Sequence, residues 1–241
     1  PWRDALAYAC AGLETLTGIG LLLDRSLRPA SRVLFPYLLG WLLLLELPAV
    51  VQAPRDAGAW GSFGEIGIMA AGAWYLFARY AGKRGARPPG FAVGASGIRA
   101  ARGLLVLSLP MIGVEVMAGA IAAGDAIMQP WLQWLPHPAG WAILTGIGSI
   151  ATSLALLFGI WPRLAATMEA AMLGLITLVY WVPVLQTGRT ATTALIISSL
   201  VCAGVWLLSD SYRQLPWLAV GKPVWKAPGA DPAQSASTAG S

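Results

Sequence analysis

The stretch 138–183 constrains the fold more than any other part of the chain, because it holds two long apolar segments. The segments cover 141–160 and 164–182, and Trp161-Pro162-Arg163 joins them. Glu169 is the only ionic residue inside either segment. About 20 apolar residues at a rise of 1.5 Å per residue match the hydrocarbon core of a bilayer, which is roughly 30 Å thick. The pattern predicts a transmembrane helical hairpin.

Composition extends this prediction to the whole chain. Of the 241 residues, 57% are hydrophobic and 11% are charged, whereas soluble domains carry roughly 25% charged residues. The net charge of +5 comes from basic residues in loops between apolar spans, where a topological role explains them, so a nucleic-acid partner is not expected. Cys10 and Cys202 lie in distant spans without a CxxC motif, which argues against a disulfide framework or a dithiol redox site.

The apolar segments predict an all-α, polytopic transmembrane helix bundle with seven visible spans. The predicted spans are 5–23, 31–52, 61–81, 98–124, 140–160, 164–186 and 190–209. Lys and Arg concentrate on one side of the predicted membrane, which holds 13 of the 16 basic residues. By the positive-inside rule that side is cytoplasmic, and the tail 210–241 lies there.

An internal repeat divides the chain into two units. Residues 12–52 parallel 146–186, and Ala71-Gly-Ala-Trp74 parallels Ala203-Gly-Val-Trp206, at offsets of 132–135 residues. We therefore expect a first unit of three spans at 1–81, a basic Pro/Gly linker at 82–97 and a second unit of four spans at 98–209. The economical interpretation is two parallel four-helix units, the first of which lacks an opening helix upstream of Pro1.

Several motifs of the second unit bear on its family. They are Gly103 and Pro110 in its first helix, the loop string Gln129-Pro-Trp-Leu-Gln-Trp-Leu-Pro136, the helix opening Trp141-Ala-Ile-Leu-Thr-Gly146, the turn Gly159 to Arg163-Leu-Ala-Ala166, and a helix ending near Pro183. With these motifs, residues 97–209 resemble the DoxX-like membrane family, and 5–80 resemble it more weakly. The resemblance implies a four-helix bundle in the bacterial cytoplasmic (inner) membrane. Some members are associated with thiosulfate:quinone oxidoreductase or other membrane redox assemblies.

One departure from the family pattern concerns the end of the third helix of the second unit. Relatives often carry a histidine shortly before the proline there, whereas this chain reads Tyr180-Trp-Val-Pro183. A role that rests on that histidine is therefore not carried over to this sequence.

Acidic residues inside the predicted spans are the first candidates for a site, because an ionisable side chain is costly in the membrane. Glu14, Glu46, Glu65 and Glu115 all fall roughly 8–14 Å below the outer surface at 1.5 Å per residue, and Glu169 lies in the hairpin. The functional interpretation is a polar cavity for a proton, a quinone head group or a small cation. The alternative is that these carboxyl groups are protonated or hydrogen-bonded between helices and hold the bundle together.

His137 is the only histidine, in the predicted outer loop beside Trp131, Trp134 and Trp141. It is a candidate for contact with a quinone or for ligation of a haem or chlorophyll, and the alternative is a solvated loop residue. The sequence has no His/Cys/Asp cluster at metal-ligand spacing and no GxSxG motif or phosphate loop. An intrinsic metal site or nucleophilic catalysis is therefore not expected.

The scarcity of catalytic residues favours an accessory or structural subunit of a larger membrane energy-transducing complex, respiratory or photosynthetic. Such a subunit has the lipid bilayer and other membrane subunits as partners and no intrinsic cofactor, although a quinone or lipid can bind it. The alternatives are a quinone-interacting subunit of an oxidoreductase and a small-solute carrier. The lack of interrupted helix pairs in both units argues against the carrier.

Overall fold

The computed structural model describes residues 2–80, 90–124, 136–183, 189–221 and 223–224. In these ranges the chain is helical, and the extended pairing is limited to an isolated bridge between Ile160 and Val220. Six helices are long and apolar enough to cross a membrane. The first half of the predicted linker (82–89), the loop 125–135 with most of its motif string, and the tail from 225 onward lie outside the described residues.

The elements follow the predicted ranges closely. They are α1 (Trp2–Leu22), α2 (Leu27–Trp41), a π-helical segment (Leu42–Glu46), α3 (Leu47–Gln52), α4 (Ala57–Tyr80), α5 (Gly94–Ala123), α6 (Pro138–Phe158), α7 (Pro162–Ile176), a second π-helical segment (Thr177–Trp181) and α8 (Arg189–Asp210). The six candidate spans are α1, the continuous run α2 to α3, α5, α6, α7 with its π segment, and α8. The helix predicted at 61–81 is present as α4, but α4 is not among the six.

α4 is surrounded by other helices of the bundle. This helix packs against α2, α5 and α8, and Ile68 and Ala70 on it are fully buried. A Cβ atom added to Gly64 would lie 2.9 Å from the carbonyl oxygen of Ser108, so α4 and α5 approach closely there. A helix surrounded by protein needs less apolar surface than a helix that faces lipid.

Both π-helical segments stand immediately before a proline. Pro48 and Pro183 each follow the last residue of a π segment by two positions. Because proline has no N–H and clashes with the carbonyl four residues earlier, a wider turn accommodates it. At Pro48 the helix continues as α3, whereas the second π segment ends at Trp181, two residues before Pro183. The two π segments lie 135 positions apart.

The chain after α8 folds back over the turn between α6 and α7. The backbone N–H of Trp161 donates to the carbonyl of Ala219 at 2.8 Å, and the Arg163 guanidinium lies 4.0 Å from the ring centroid of Trp217. Tyr212 of the same segment is buried, with 1% of its surface exposed. These contacts hold the segment after Asp210 against the bundle.

Candidate functional site

Three of the four predicted acids come together near one end of the bundle. Glu65 of α4 interacts electrostatically with Glu115 of α5 and with Glu46 at the end of the first π segment. All three side chains are half-buried. Glu46 is six residues from the end of α3, and Glu65 and Glu115 are each eight residues from a helix end, so all lie about 9–12 Å deep at 1.5 Å per residue.

A glycine on α4 makes room for the Glu115 carboxyl group. A Cβ atom added to Gly61 would overlap the Oε2 and Cδ atoms of Glu115. The carboxyl group therefore lies directly on the α4 backbone, and Asp56 in the turn before α4 acts on it electrostatically. Each of these carboxyl groups can bind and release a proton, which is the chemistry that this arrangement offers.

The structure places Glu14 in a separate pair. The hydroxyl of Tyr37 on α2 donates to Oε1 of Glu14 at 2.7 Å, and the Glu14 side chain is exposed. Because α1 begins at Trp2, Glu14 lies twelve residues along the helix, about 18 Å from its start. This depth differs from that of the three clustered acids, so Glu14 and Tyr37 are described as a pair of their own.

Glu169 fits the structural interpretation of the intramembrane acids. It is buried, with 2% of its surface exposed. Its Oε1 accepts a hydrogen bond from Ser149 Oγ at 2.7 Å, and its Oε2 accepts one from Thr152 Oγ1 at 3.1 Å. The carboxyl group therefore joins α7 to α6.

His137 occupies the residue before α6 in a left-handed conformation, with φ of 51°. Its carbonyl accepts from the backbone N–H of Gly140 at 2.9 Å and of Trp141 at 3.3 Å, and its side chain is exposed. Trp131 and Trp134, its expected neighbours, lie outside the described residues. Within the part of the chain that the structure describes, no group of three His, Cys, Asp or Glu side chains could hold a metal ion. A role for His137 in ligand binding stays a prediction.

The structural role of Arg102 was not predicted from the sequence. It was assigned to the loops as a topological charge, but it lies within α5 and only 3% of its surface is exposed. Its Nε donates to Ser211 Oγ at 2.9 Å and its Nη2 donates to the Ser211 carbonyl. Its guanidinium also lies 4.0 Å from the ring centroid of Tyr212. The position of Arg102 inside an apolar run was the available signal.

Ser153 is a second residue that the sequence did not single out. Pro110 interrupts α5, and a proline leaves the carbonyl four residues earlier without its helical donor. That carbonyl belongs to Val106, and it accepts from Ser153 Oγ of α6 at 2.6 Å. The serine replaces the missing N–H, as neighbouring helices do in membrane proteins.

Comparisons with known proteins assign no function to this site. No family model, no curated protein and no solved structure matches the chain. The DoxX-like resemblance therefore remains a prediction from the motifs.

Proposed function

We propose that this chain is an integral membrane accessory subunit that docks laterally in a larger energy-transducing complex, respiratory or photosynthetic, and performs no catalysis of its own. The observation that carries the proposal is the open face of α1. This helix packs chiefly on α2, and it carries an exposed carboxyl group, that of Glu14, in its middle.

The side chains around Glu14 suit a helical partner better than lipid. Cβ atoms added to Gly12 and Gly18 would meet no atom within 4 Å, so both glycines are open to a neighbouring helix. Leu16 between them is 72% exposed. Apolar side chains can face lipid at no cost, whereas an acidic residue at mid-helix costs about 3 kcal/mol there. Glu14 and Gly18 are four residues apart and share one face of α1, whereas Gly12 and Leu16 lie on the opposite side. A partner helix packed against the Glu14 face gives the carboxyl group a second hydrogen bond beside that of Tyr37, and Gly18 allows the close approach.

The proposed architecture is a pair of parallel DoxX-like units, with α4 as the seventh span. Two features support it: the π segments 135 positions apart, each before a proline, and the close approach of Gly72 to Gly204. In this arrangement α1, the run α2 to α3, and α4 correspond to α6, α7 and α8. The units share one orientation and are related by an axis along the membrane normal.

The second candidate function is a quinone-interacting subunit of an oxidoreductase such as thiosulfate:quinone oxidoreductase. The grouping of Glu46, Glu65 and Glu115 at one depth favours it, because quinone reduction takes up protons as well as electrons. A partner subunit would supply the electrons. Replacing Glu115 by Gln removes the titrating group, and Gly61→Ala displaces it. Quinone retained by the wild type and lost by both variants supports this function, and no quinone in lipid extracts of the wild type counts against it.

The accessory role is tested by native purification of tagged protein from its own membrane. Gly18→Leu introduces bulk on the α1 face without meeting an atom of its own chain. Gly103→Leu on α5 is the matched control, since its added side chain also begins in open space. We expect the wild type and the control to co-purify with the same defined subunits and Gly18→Leu to lose them. The proposal is contradicted if the wild-type protein, purified from its native membrane, is monodisperse and no other subunit co-purifies with it.

A further inference from the structure

The end of the bundle where α4 ends and α5 begins carries a pocket that the proposed docking role does not use. Its volume is about 460 Å³. Polar side chains from α4, from α5 and from the chain after α8 line it together with Ile98 and alanines. The polar lining comprises Tyr75, Arg79, Arg102, Asp210, Ser211, Arg213 and Gln214. Three guanidinium groups thus face one space.

The charges in this pocket do not balance. Asp210 forms ion pairs with Arg79 at 3.1 Å and with Arg213 at 3.4 Å. Among the described residues, no carboxylate lies within ion-pair distance of Arg102, whose partners are Ser211 and the Tyr212 ring. A buried cation is costly unless an anion accompanies it. The one carboxylate of the pocket therefore pairs with Arg79 and Arg213, and the charge of Arg102 is not balanced by it.

We propose that this pocket binds a phosphate group between the guanidinium groups of Arg79, Arg102 and Arg213. Planar guanidinium groups bind phosphate oxygens through paired N–H donors, which makes arginine the preferred residue for this recognition. The bonds of Arg102 to Ser211 use two of its five N–H donors. The hydroxyl of Tyr75 and the amide of Gln214 supply further hydrogen-bonding groups at the wall.

The depth of the pocket matches the headgroup region of a bilayer. Arg79 is one residue from the end of α4, and Arg102 is eight residues inside α5, so their Cα atoms lie about 1.5 Å and about 12 Å from the helix ends. The Arg79 guanidinium donates to the hydroxyl of Tyr75, which lies one turn deeper in α4, and it therefore extends towards the depth of Arg102. Basic pockets between transmembrane helices bind phosphorylated lipid headgroups, and Ile98 and Ala95 provide an apolar wall for the attached glycerol. The same donors bind the phosphate of a soluble compound that enters from the aqueous side.

Asp210 competes with the phosphate group for the pocket arginines. It lies between Arg79 and Arg213, and its Oδ2 also accepts from Tyr75 Oη at 2.9 Å. A bound phosphate takes its place as counter-ion of one or both arginines. Removing the charge of Asp210 should therefore strengthen the binding of phosphate. If Asp210 served only to form structural ion pairs, its removal would leave phosphate binding unchanged.

The test uses the full chain purified in a phosphorus-free maltoside detergent. Phosphatidylglycerol and inorganic phosphate are titrated separately, by native mass spectrometry and by calorimetry. Arg213→Gln removes a pocket arginine whose side chain is 56% exposed, so it leaves the buried contacts of Arg102 in place. Arg28→Gln is the matched control, because it makes the same charge change at an exposed site outside the pocket. Circular dichroism and a monodisperse elution profile verify that each variant is folded.

We expect Arg213→Gln to weaken binding at least about tenfold, the equivalent of one lost charge-assisted hydrogen bond. Arg28→Gln is expected to leave binding unchanged and Asp210→Asn to tighten it. Binding of phosphatidylglycerol without inorganic phosphate identifies a lipid site, and binding of both identifies a site open to soluble phosphates. Binding of neither by the wild type overturns the proposal. Equal weakening by Arg213→Gln and Arg28→Gln overturns it as well, because that result indicates diffuse charge attraction.

Discussion

A Cβ atom added to Gly72 of α4 would lie 2.9 Å from the Cα atom of Gly204 on α8. A Cβ atom added to Gly204 would lie 2.8 Å from the carbonyl oxygen of Ile68 on α4. The two glycines stand at equivalent positions of the sequence repeat, 132 residues apart. Contact between equivalent positions is what a twofold axis generates, so this crossing supports the proposal of two parallel units.

The first prediction concerns this crossing. Gly72→Ala forces α4 and α8 apart, because the new methyl group meets backbone that cannot rotate away. We expect a loss of about 1–3 kcal/mol in the free energy of unfolding, as overpacking of a tight contact produces. Thermal unfolding in detergent measures it. Gly103→Ala is the control, since its methyl group meets nothing within 4 Å and gains up to about 1 kcal/mol in helix propensity. Equal stability of the two variants would refute the close crossing.

The second prediction concerns the hydrogen bond from Ser153 to the Val106 carbonyl. Ser153→Ala removes the donor, and we expect a loss of about 0.6–2 kcal/mol in the unfolding free energy. Pro110→Ala restores a backbone N–H for the same carbonyl. In the Pro110→Ala background the cost of Ser153→Ala should therefore fall. A double-mutant cycle measures this coupling, and strictly additive effects would show that the serine does not replace the missing donor.

The third prediction tests whether the carboxyl group of Glu169 stabilises the contact between α6 and α7. Glu169→Ala leaves the hydroxyls of Ser149 and Thr152 buried without their acceptor, and we expect it to cost about 1–3 kcal/mol of stability. Glu169→Gln keeps an acceptor in place and is expected to cost less. Unfolding in a denaturing-detergent titration measures both. A Glu169→Ala variant as stable as the wild type would mean that this carboxyl group does not join α6 and α7.

The fourth prediction is a dependence of stability on pH. Burial raises the pKa of the Tyr212 hydroxyl from its usual 10.0 to about 12, against an opposing effect of Arg102. The folded protein thus favours the protonated phenol, and this contribution is present below pH 10.0 and is lost as the pH rises towards about 12. We expect the wild type, measured in detergent, to lose stability across that range relative to Tyr212→Phe. Parallel pH profiles for the two proteins would contradict the burial of this hydroxyl.

The positions of the helices could be predicted from the sequence, because length and hydropathy determine which segments span a bilayer. Each predicted range coincides with a helix to within about one turn, apart from the predicted end of the sixth span at 186, which lies outside the described residues. The role of α4 was harder to foresee. Its glycines and alanines allow close contact with three other helices. The hydropathy of a helix does not determine whether it faces protein or lipid, because that depends on these packing contacts.

The candidate site was predictable in part. The similar depths of Glu46, Glu65 and Glu115 could be predicted, since distance along a helix converts directly to depth. Which acid pairs with Tyr37, and which one accepts from Ser149, depends on the rotation of each helix about its axis. The role of Arg102 depends on a segment more than 100 residues later in the chain, and hydropathy carries no information about such contacts.

Photo-cross-linking in the native membrane tests the proposed docking role most directly. A diazirine side chain replaces Ala11 on α1 in one protein and Leu107 on α5 in another, both of which are exposed. Ala11 lies on the same face of α1 as Glu14 and Gly18, three and seven residues before them. We predict one discrete protein adduct at position 11, its loss when Gly18→Leu is added, and lipid adducts at position 107. Lipid adducts alone at both positions would contradict lateral docking through α1.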